Sequence, residues 1–154
     1  MRGWIGKLGK IAVLGIGNAL LKDEGIGIHI IRSLKDLPGL ESVDLIDGGT
    51  YPQAFDLVRD RDRLIVIDAA YGGGEPGSIY YLTPEQIKSQ KPSSIHEFNV
   101  LHMLWNLSIM GESPNITIIG IEPKEVDWGL ELSLELEKRL PRITEFVLKT
   151  ILEE

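Results

Sequence analysis

Short apolar runs alternate with longer amphipathic segments along the chain. The runs are rich in β-branched residues and stop at glycine or polar residues, which is typical of β-strands buried in a sheet. They predict strands at 11–16 (IAVLGI), 43–47 (VDLID), 64–68 (LIVID), 79–82 (IYYL) and 115–122 (NITIIGIE). The 79–82 run, which follows the glycine-rich loop YGGGEPGS at 71–78, is the candidate for an antiparallel strand.

Between these runs, apolar residues recur with the spacing of one helix face. The pattern predicts a helix over 25–36, a short one over 54–60, a third over about 96–110 and a last one over about 133–153. The first helix is expected to end at Pro38-Gly39. Pro141 is expected to break or bend the early part of the last helix.

Strands that alternate with helices predict an α/β fold: a single three-layer domain with a mostly parallel, twisted sheet and helices on both faces. The domain is expected to span the whole chain, with residues 1–10 as an N-terminal extension of unassigned role before the domain proper at 11–154. In such sheets ligands bind outside the carboxyl ends of the strands. The residues that follow each strand are therefore the first candidates for a site.

Composition narrows the class of protein. A net charge of −7 argues against a nucleic-acid partner, since phosphate contacts require clustered Lys and Arg. The chain has no cysteine, which excludes a thiol nucleophile and disulfides and fits a reducing compartment. We see no apolar run near the ~20 residues needed to cross a bilayer and no signal peptide. These features predict a cytoplasmic protein without a membrane partner.

The stretch GIGNALLKDEGIG at 15–27 allows three interpretations: a phosphate cradle, a helix start with an acidic cap, or one wall of a metal site. The stretch lacks the third glycine of the dinucleotide-binding fingerprint. In addition, two carboxylates at the start of the helix would repel a phosphate. Asp23 is better explained as a cap of the helix that starts near Gly25, worth about 1 kcal/mol. For Glu24, capping and metal binding both remain open.

Two further carboxylates end apolar strands. Asp68 is the last residue of LIVID, where a functional role and the capping of the next turn are equally favoured. Asp47 ends the preceding strand, but the sequence DGG favours an Asx-turn without chemistry.

The chain has three histidines. His29 is expected to be a surface or half-buried residue of the first helix, and His102 lies in the middle of a later helix. His96 stands near the start of that later helix, behind Pro92-Ser93-Ser94, although a lone histidine is more often structural. Together, Glu24, Asp68 and His96 would provide two oxygen ligands and one nitrogen ligand, a set suited to a borderline divalent ion with waters in the remaining positions.

At this point the motifs resemble those of the nickel-iron hydrogenase maturation endopeptidases. GIGNALLKDEGIG is similar to the signature G-x-G-N-x-L-x-x-D-[DE]-x-x-G that opens this family. Further landmarks follow in order: DGGT at 47–50, LIVIDAA at 64–70, SIHE at 94–97 and IIGIEP at 118–123. The resemblance covers the chain from about 11 to 150.

The resemblance implies a function and a site. Members of this family remove a short C-terminal peptide from the precursor of the hydrogenase large subunit after nickel has been inserted there. The family's metal-binding acids and histidine fall on Glu24, Asp68 and His96, which are expected to carry catalysis as well. The nickel is expected to arrive with the precursor, and other divalent ions could occupy the site. The chain has no cysteine and no evident Ser/His/Asp set, so hydrolysis by an activated water fits best, with a carboxylate as base or the ion as Lewis acid.

Other expectations concern partners. Asp47 and Thr50 are weak candidates for precursor recognition, and Trp128 is a possible part of an apolar docking patch, although filling a core gap is the favoured role for Trp128. The protein is expected to be a monomer. Two alternative functions remain: a non-catalytic, nickel-dependent hydrogenase chaperone that uses the same three ligands, and a doubly wound nucleotide-binding protein with phosphate room beside Gly15 and Gly17.

Overall fold

The structure, a computed structural model, describes residues 10–50, 58–82, 111 and 114–153. Its strands are β1 (Ile11–Ile16), β2 (Val43–Gly49), β3 (Arg63–Ala69), β4 (Ile79–Leu82) and β5 (Asn115–Ile121). A 3-10 turn (Lys22–Gly25) leads into helix α1 (Ile26–Lys35), and helix α2 (Leu134–Leu152) closes the described chain. All five predicted strands are therefore confirmed, and β2 runs two residues further than predicted, through Gly48 and Gly49.

The strands form one sheet in the order β2-β1-β3-β5-β4. The neighbours β2, β1, β3 and β5 pair in parallel, whereas β4 pairs antiparallel with β5, as the 79–82 run indicated. The carboxyl ends of the four parallel strands therefore lie at the same edge of the sheet.

Alternate residues of the central strands pack on opposite faces, as the two-residue period of a strand requires. Ile65 and Ile67 join α1 and α2 in one fully buried cluster, while Leu64 and Val66 belong to a second cluster on the other face. Helix α1 contributes the four residues that the periodicity selected: Ile26, Ile30, Ile31 and Leu34.

The prediction of a single α/β domain with a mostly parallel sheet is confirmed. The two described helices both pack in the first cluster. The helix predicted over 96–110 lies outside the described residues, as do residues 54–57 of the short helix predicted over 54–60. The rest of that short segment, 58–60, forms a turn rather than a helix.

Helix α2 runs through Pro141 from Leu134 to Leu152, so the predicted break is absent there, while the alternative of a bend stays a prediction. A proline inside a helix removes one hydrogen bond and costs about 3 kcal/mol. Here Pro141 is exposed, and the buried residues Leu136 and Ile143 fix the helix to the core on both sides of it. The Arg63 guanidinium further holds the end of α2 by donating to the carbonyls of Thr150, Ile151 and Glu153.

In the described part of the chain, neither helix combines the length and the apolar composition that a membrane crossing requires.

Candidate functional site

The glycines of the 15–27 stretch allow α1 to lie directly on the sheet. A Cβ atom built on Gly15 would overlap the carbonyl oxygen of Gly27, and one built on Gly27 would overlap the carbonyl oxygens of Ile16 and Ile67. The first turn of α1 therefore contacts the ends of β1 and β3 through backbone atoms. These glycines serve close packing of the helix.

The same packing fills the space where side chains at Gly15 and Gly17 would lie. The space beside Gly15 is filled by the backbone of Gly27, and the space beside Gly17 is filled by the carbonyl of Glu24. A phosphate cradle needs that space, because its amides must approach the ligand closely. The contacts of Gly15 and Gly17 thus serve helix packing and give no support to the nucleotide-binding alternative.

Two of the three predicted site residues come to the same edge of the sheet. Glu24 belongs to the 3-10 turn, which contacts β3, and is partly exposed. Asp68 lies near the carboxyl end of β3, is 6% exposed, and its Oδ1 accepts a hydrogen bond of 2.8 Å from the Ala69 amide. Because Gly27 packs against the carbonyl of Ile67, the 3-10 turn that carries Glu24 ends close to the strand end that carries Asp68.

The third predicted ligand, His96, lies outside the described residues, and so does the other histidine candidate, His102. Across the described ranges, no three side chains of His, Cys, Asp or Glu are grouped closely enough to hold a metal ion. The complete ligand set of Glu24, Asp68 and His96 therefore stays a prediction.

Tyr71 is a residue of this edge that sequence reasoning did not select. Its side chain is 63% exposed, three residues beyond Asp68. Partial burial, and next the negative charges of Glu24 and Glu122, raise the pKa of the Tyr71 phenol above its ordinary value. The phenol therefore lies within the electrostatic field of the site. Its position just past a strand end was the available signal.

Asp23 does not cap the helix that follows it, so the capping prediction is wrong. The N-cap residue of α1 is Gly25, and no side chain donates or accepts a capping hydrogen bond there. Asp23 is fully buried instead and accepts four hydrogen bonds from the loop 122–133 between β5 and α2. The amides of Lys124 and Glu125 donate to Oδ2 at 2.9 and 2.8 Å. Ser133 donates its amide to Oδ1 at 2.8 Å and its hydroxyl to Oδ2 at 2.7 Å.

Backbone contacts extend this attachment of the 3-10 turn to the 122–133 loop. The amide of Lys22 donates to the Gly129 carbonyl at 2.9 Å, and the amide of Asp23 donates to the Glu125 carbonyl at 3.1 Å. An ion pair of 2.9 Å joins Lys22 Nζ and Glu125 Oε2. The position of Glu24 is thus set by a loop that follows it by about a hundred residues.

Glu122 holds the glycine-rich loop on the other side of Asp68. Its carboxylate accepts hydrogen bonds from the amides of Gly72 and Gly74, at 2.8 and 3.1 Å, and from the Tyr80 hydroxyl at 2.7 Å. Burial opposes ionisation of Glu122, but these hydrogen bonds outweigh it and lower the pKa of the carboxyl below its ordinary value. The loop that carries Tyr71 is thereby anchored at the carboxyl end of β5.

The remaining candidates lie on the surface. Asp47 is exposed and does not end β2, because the strand continues through Gly49; Thr50 follows it and is also exposed. Trp128 is 76% exposed, so the prediction that it fills a core gap is wrong. Hydrophobicity alone favoured burial, but the 122–133 loop holds Trp128 on its outer side.

Comparison with known proteins gives a consistent result. Residues 28–150 match the sequence profile of the hydrogenase maturation protease family, HycI. The hydrogenase 2 maturation protease of Escherichia coli K12 is 32% identical over 154 residues, covering 94% of this chain and 92% of that protein. The hydrogenase expression/formation protein HupD of Rhizobium leguminosarum bv. viciae is 32% identical over 149 residues, covering 92% of this chain and 74% of that protein.

Solved structures agree with the sequence matches. The hydrogenase maturating endopeptidase HybD from E. coli superposes with a TM-score of 0.81 at 30% identity, covering 92% of this chain and 91% of that one. The family resemblance identified from the sequence motifs is therefore confirmed. The chain belongs to the hydrogenase maturation protease family and is a peptidase.

Proposed function

We propose that this peptidase removes the C-terminal peptide of a nickel-iron hydrogenase large-subunit precursor after nickel insertion, and that it recognises the precursor's nickel through Glu24, Asp68 and His96. The observation that carries the proposal is the approach of the Glu24 turn to the Asp68 end of β3. In a chain of this protease family, that approach supports a shared site for two carboxylates at the ligand-binding edge of the sheet.

The donor chemistry suits nickel as part of the substrate. Carboxylate oxygens and an imidazole nitrogen bind borderline divalent ions, and Asp68 is held by the Ala69 amide before any ion arrives. The nickel of a loaded precursor would supply a positive charge that attracts these carboxylates. A precursor without nickel would lack this attraction and dock unproductively, which makes metal loading a checkpoint for cleavage.

The peptide bond is proposed to break by attack of water. The chain has no cysteine to act as a nucleophile. The water oxygen attacks the scissile carbonyl carbon while one carboxylate of the site accepts the water's proton. That proton then passes to the departing amine nitrogen as the carbon–nitrogen bond breaks. We propose a cytoplasmic location, because a chain without cysteine fits a reducing compartment.

The test is processing of purified precursor, followed by intact-mass spectrometry. The wild-type protein is expected to shorten nickel-loaded precursor and to leave nickel-free precursor intact. Glu24→Gln, Asp68→Asn and His96→Gln are each expected to slow cleavage about a hundredfold or more, because each removes a group from the reacting site. Asp36→Asn is the matched control, an exposed carboxylate just past the end of α1, and should cleave at the wild-type rate.

Each alternative result has a distinct meaning. Near wild-type cleavage by all three site variants would reject the assigned site. Equal cleavage of loaded and nickel-free precursor would reject recognition of nickel. Stable binding of loaded precursor without any shortening would indicate the chaperone alternative.

A further inference from the structure

Exposed apolar side chains are concentrated beside the Glu24 turn. Five large apolar side chains lie on the segment before the turn, on the 122–133 loop and at the start of α2. They are Leu20 (52% exposed), Val126 (43%), Trp128 (76%), Leu130 (67%) and Leu134 (72%). The segments touch because the Gly129 amide donates to the Leu20 carbonyl at 2.8 Å. We call these five residues the Trp128 surface. A concentration of exposed apolar side chains on neighbouring segments is typical of an interaction site.

The Trp128 surface is held in place before any partner arrives. Asp23 accepts four hydrogen bonds from the two ends of the loop that carries Trp128, and Lys22 and Gly129 hydrogen bond at its centre. A preformed surface loses less conformational entropy on binding than a loose loop does. The buried attachment therefore favours association through the exposed apolar residues.

Acidic residues border this surface. Asp127 lies between Val126 and Trp128, and Glu131 and Glu135 flank Leu130 and Leu134. A groove of about 610 Å³ runs between the 122–133 loop and the first turn of α2. It is lined by Leu130, Leu134 and four glutamates, one of which, Glu125, pairs with Lys22 at the groove's edge. Charge complementarity requires a partner that presents apolar side chains surrounded by Lys or Arg. A second copy of this chain would instead bring two acidic borders together.

We infer that the Trp128 surface is the docking surface for the hydrogenase large-subunit precursor, which contacts it through an apolar patch bordered by basic residues. The inference rests on the proposed function. The surface begins at Leu20, in the segment that leads into Glu24, so a protein seated on it lies next to the cleavage site. The Asp23 hydrogen bonds join the loop of the docking surface to the turn that carries Glu24.

The experiment compares wild-type protein with the double variant Trp128→Ala/Leu134→Ala, using nickel-loaded precursor over a range of concentrations. Truncation of central interface residues weakens binding strongly, so KM is expected to rise about tenfold or more while kcat stays within about twofold. Both side chains are exposed, so the melting temperature should stay within about 2 °C of wild type. Leu152→Ala, equally exposed at the far end of α2, is the matched control and should keep the wild-type KM.

A charge variant tests the acidic border. Glu131→Gln/Glu135→Gln is expected to raise KM several-fold at low salt and to lose this difference in high salt. An unchanged KM in this variant would overturn the requirement for a basic partner patch.

Binding of the same precursor, measured in parallel by biolayer interferometry, separates the two proposals. Cleavage by wild type with an unchanged KM in Trp128→Ala/Leu134→Ala would overturn the docking surface and leave the proposed function standing. Binding without cleavage would overturn the proposed function, and the docking surface would then be judged from the Kd of the variant. Precursor that neither binds nor is cleaved would overturn both. A wild-type dimer that Trp128→Ala converts to a monomer would also overturn the docking surface.

Discussion

Asp23→Ala is expected to destabilise the protein by about 2–6 kcal/mol. The substitution removes the acceptor of four hydrogen bonds from the 122–133 loop. Two of the donors, the amide and the hydroxyl of Ser133, are buried, and a buried donor without a partner costs about 1–3 kcal/mol. The amides of Lys124 and Glu125 lie nearer to solvent, so water compensates for much of their loss. A loss of this size is a large fraction of the 5–15 kcal/mol that is typical of folded domains.

Urea unfolding followed by circular dichroism measures this loss as a lower transition midpoint at constant m-value. Asp23→Asn keeps one acceptor oxygen and should lose roughly half as much stability as Asp23→Ala. The control is Glu131→Ala, which truncates an exposed carboxylate of the same loop and should change stability by less than about 0.5 kcal/mol. A free energy of unfolding for Asp23→Ala within about 1 kcal/mol of wild type would refute the assignment of Asp23 as the anchor of the loop.

Two further variants test other contacts. Gly27→Ala places a Cβ atom against the carbonyl oxygens of Ile16 and Ile67. Because these backbone atoms cannot move aside, we expect the free energy of unfolding, measured by heat or urea, to fall by about 3 kcal/mol and cleavage to slow. A variant with wild-type stability and wild-type cleavage would contradict this packing. Burial, and next the charge of Arg32, lower the pKa of His29. Protonation therefore favours the unfolded chain, so stability is complete above about pH 6.5 and falls as the pH drops below that value. His29→Gln should flatten this acid dependence in urea titrations at several pH values, and an unchanged slope would reject His29 as its source.

The strands and the first helix were predictable because their signals are local. The β-branched run at 11–16 predicts a buried strand, and β1 is buried along nearly its whole length. The helical spacing predicts one buried face of α1, and the structure buries all four of its residues: Ile26, Ile30, Ile31 and Leu34. The motifs at the strand ends also identified the family and placed Glu24 and Asp68 at one edge, since parallel strands bring their carboxyl ends together.

Other features depended on contacts between residues that are far apart in the chain. Asp23 binds a loop that lies 101 to 110 residues away in the chain. The local sequence KDEG is equally compatible with a helix cap, so it does not predict this role. Trp128 is exposed because its loop is held from the inner side, and α2 continues through Pro141 because buried residues fix it on both sides. Local patterns in the chain were sufficient to predict the five strands, the first helix and the family. Which polar groups are buried and which apolar groups are exposed depends on the folded chain, since burial is a property of what packs against a residue rather than of its neighbours in the sequence.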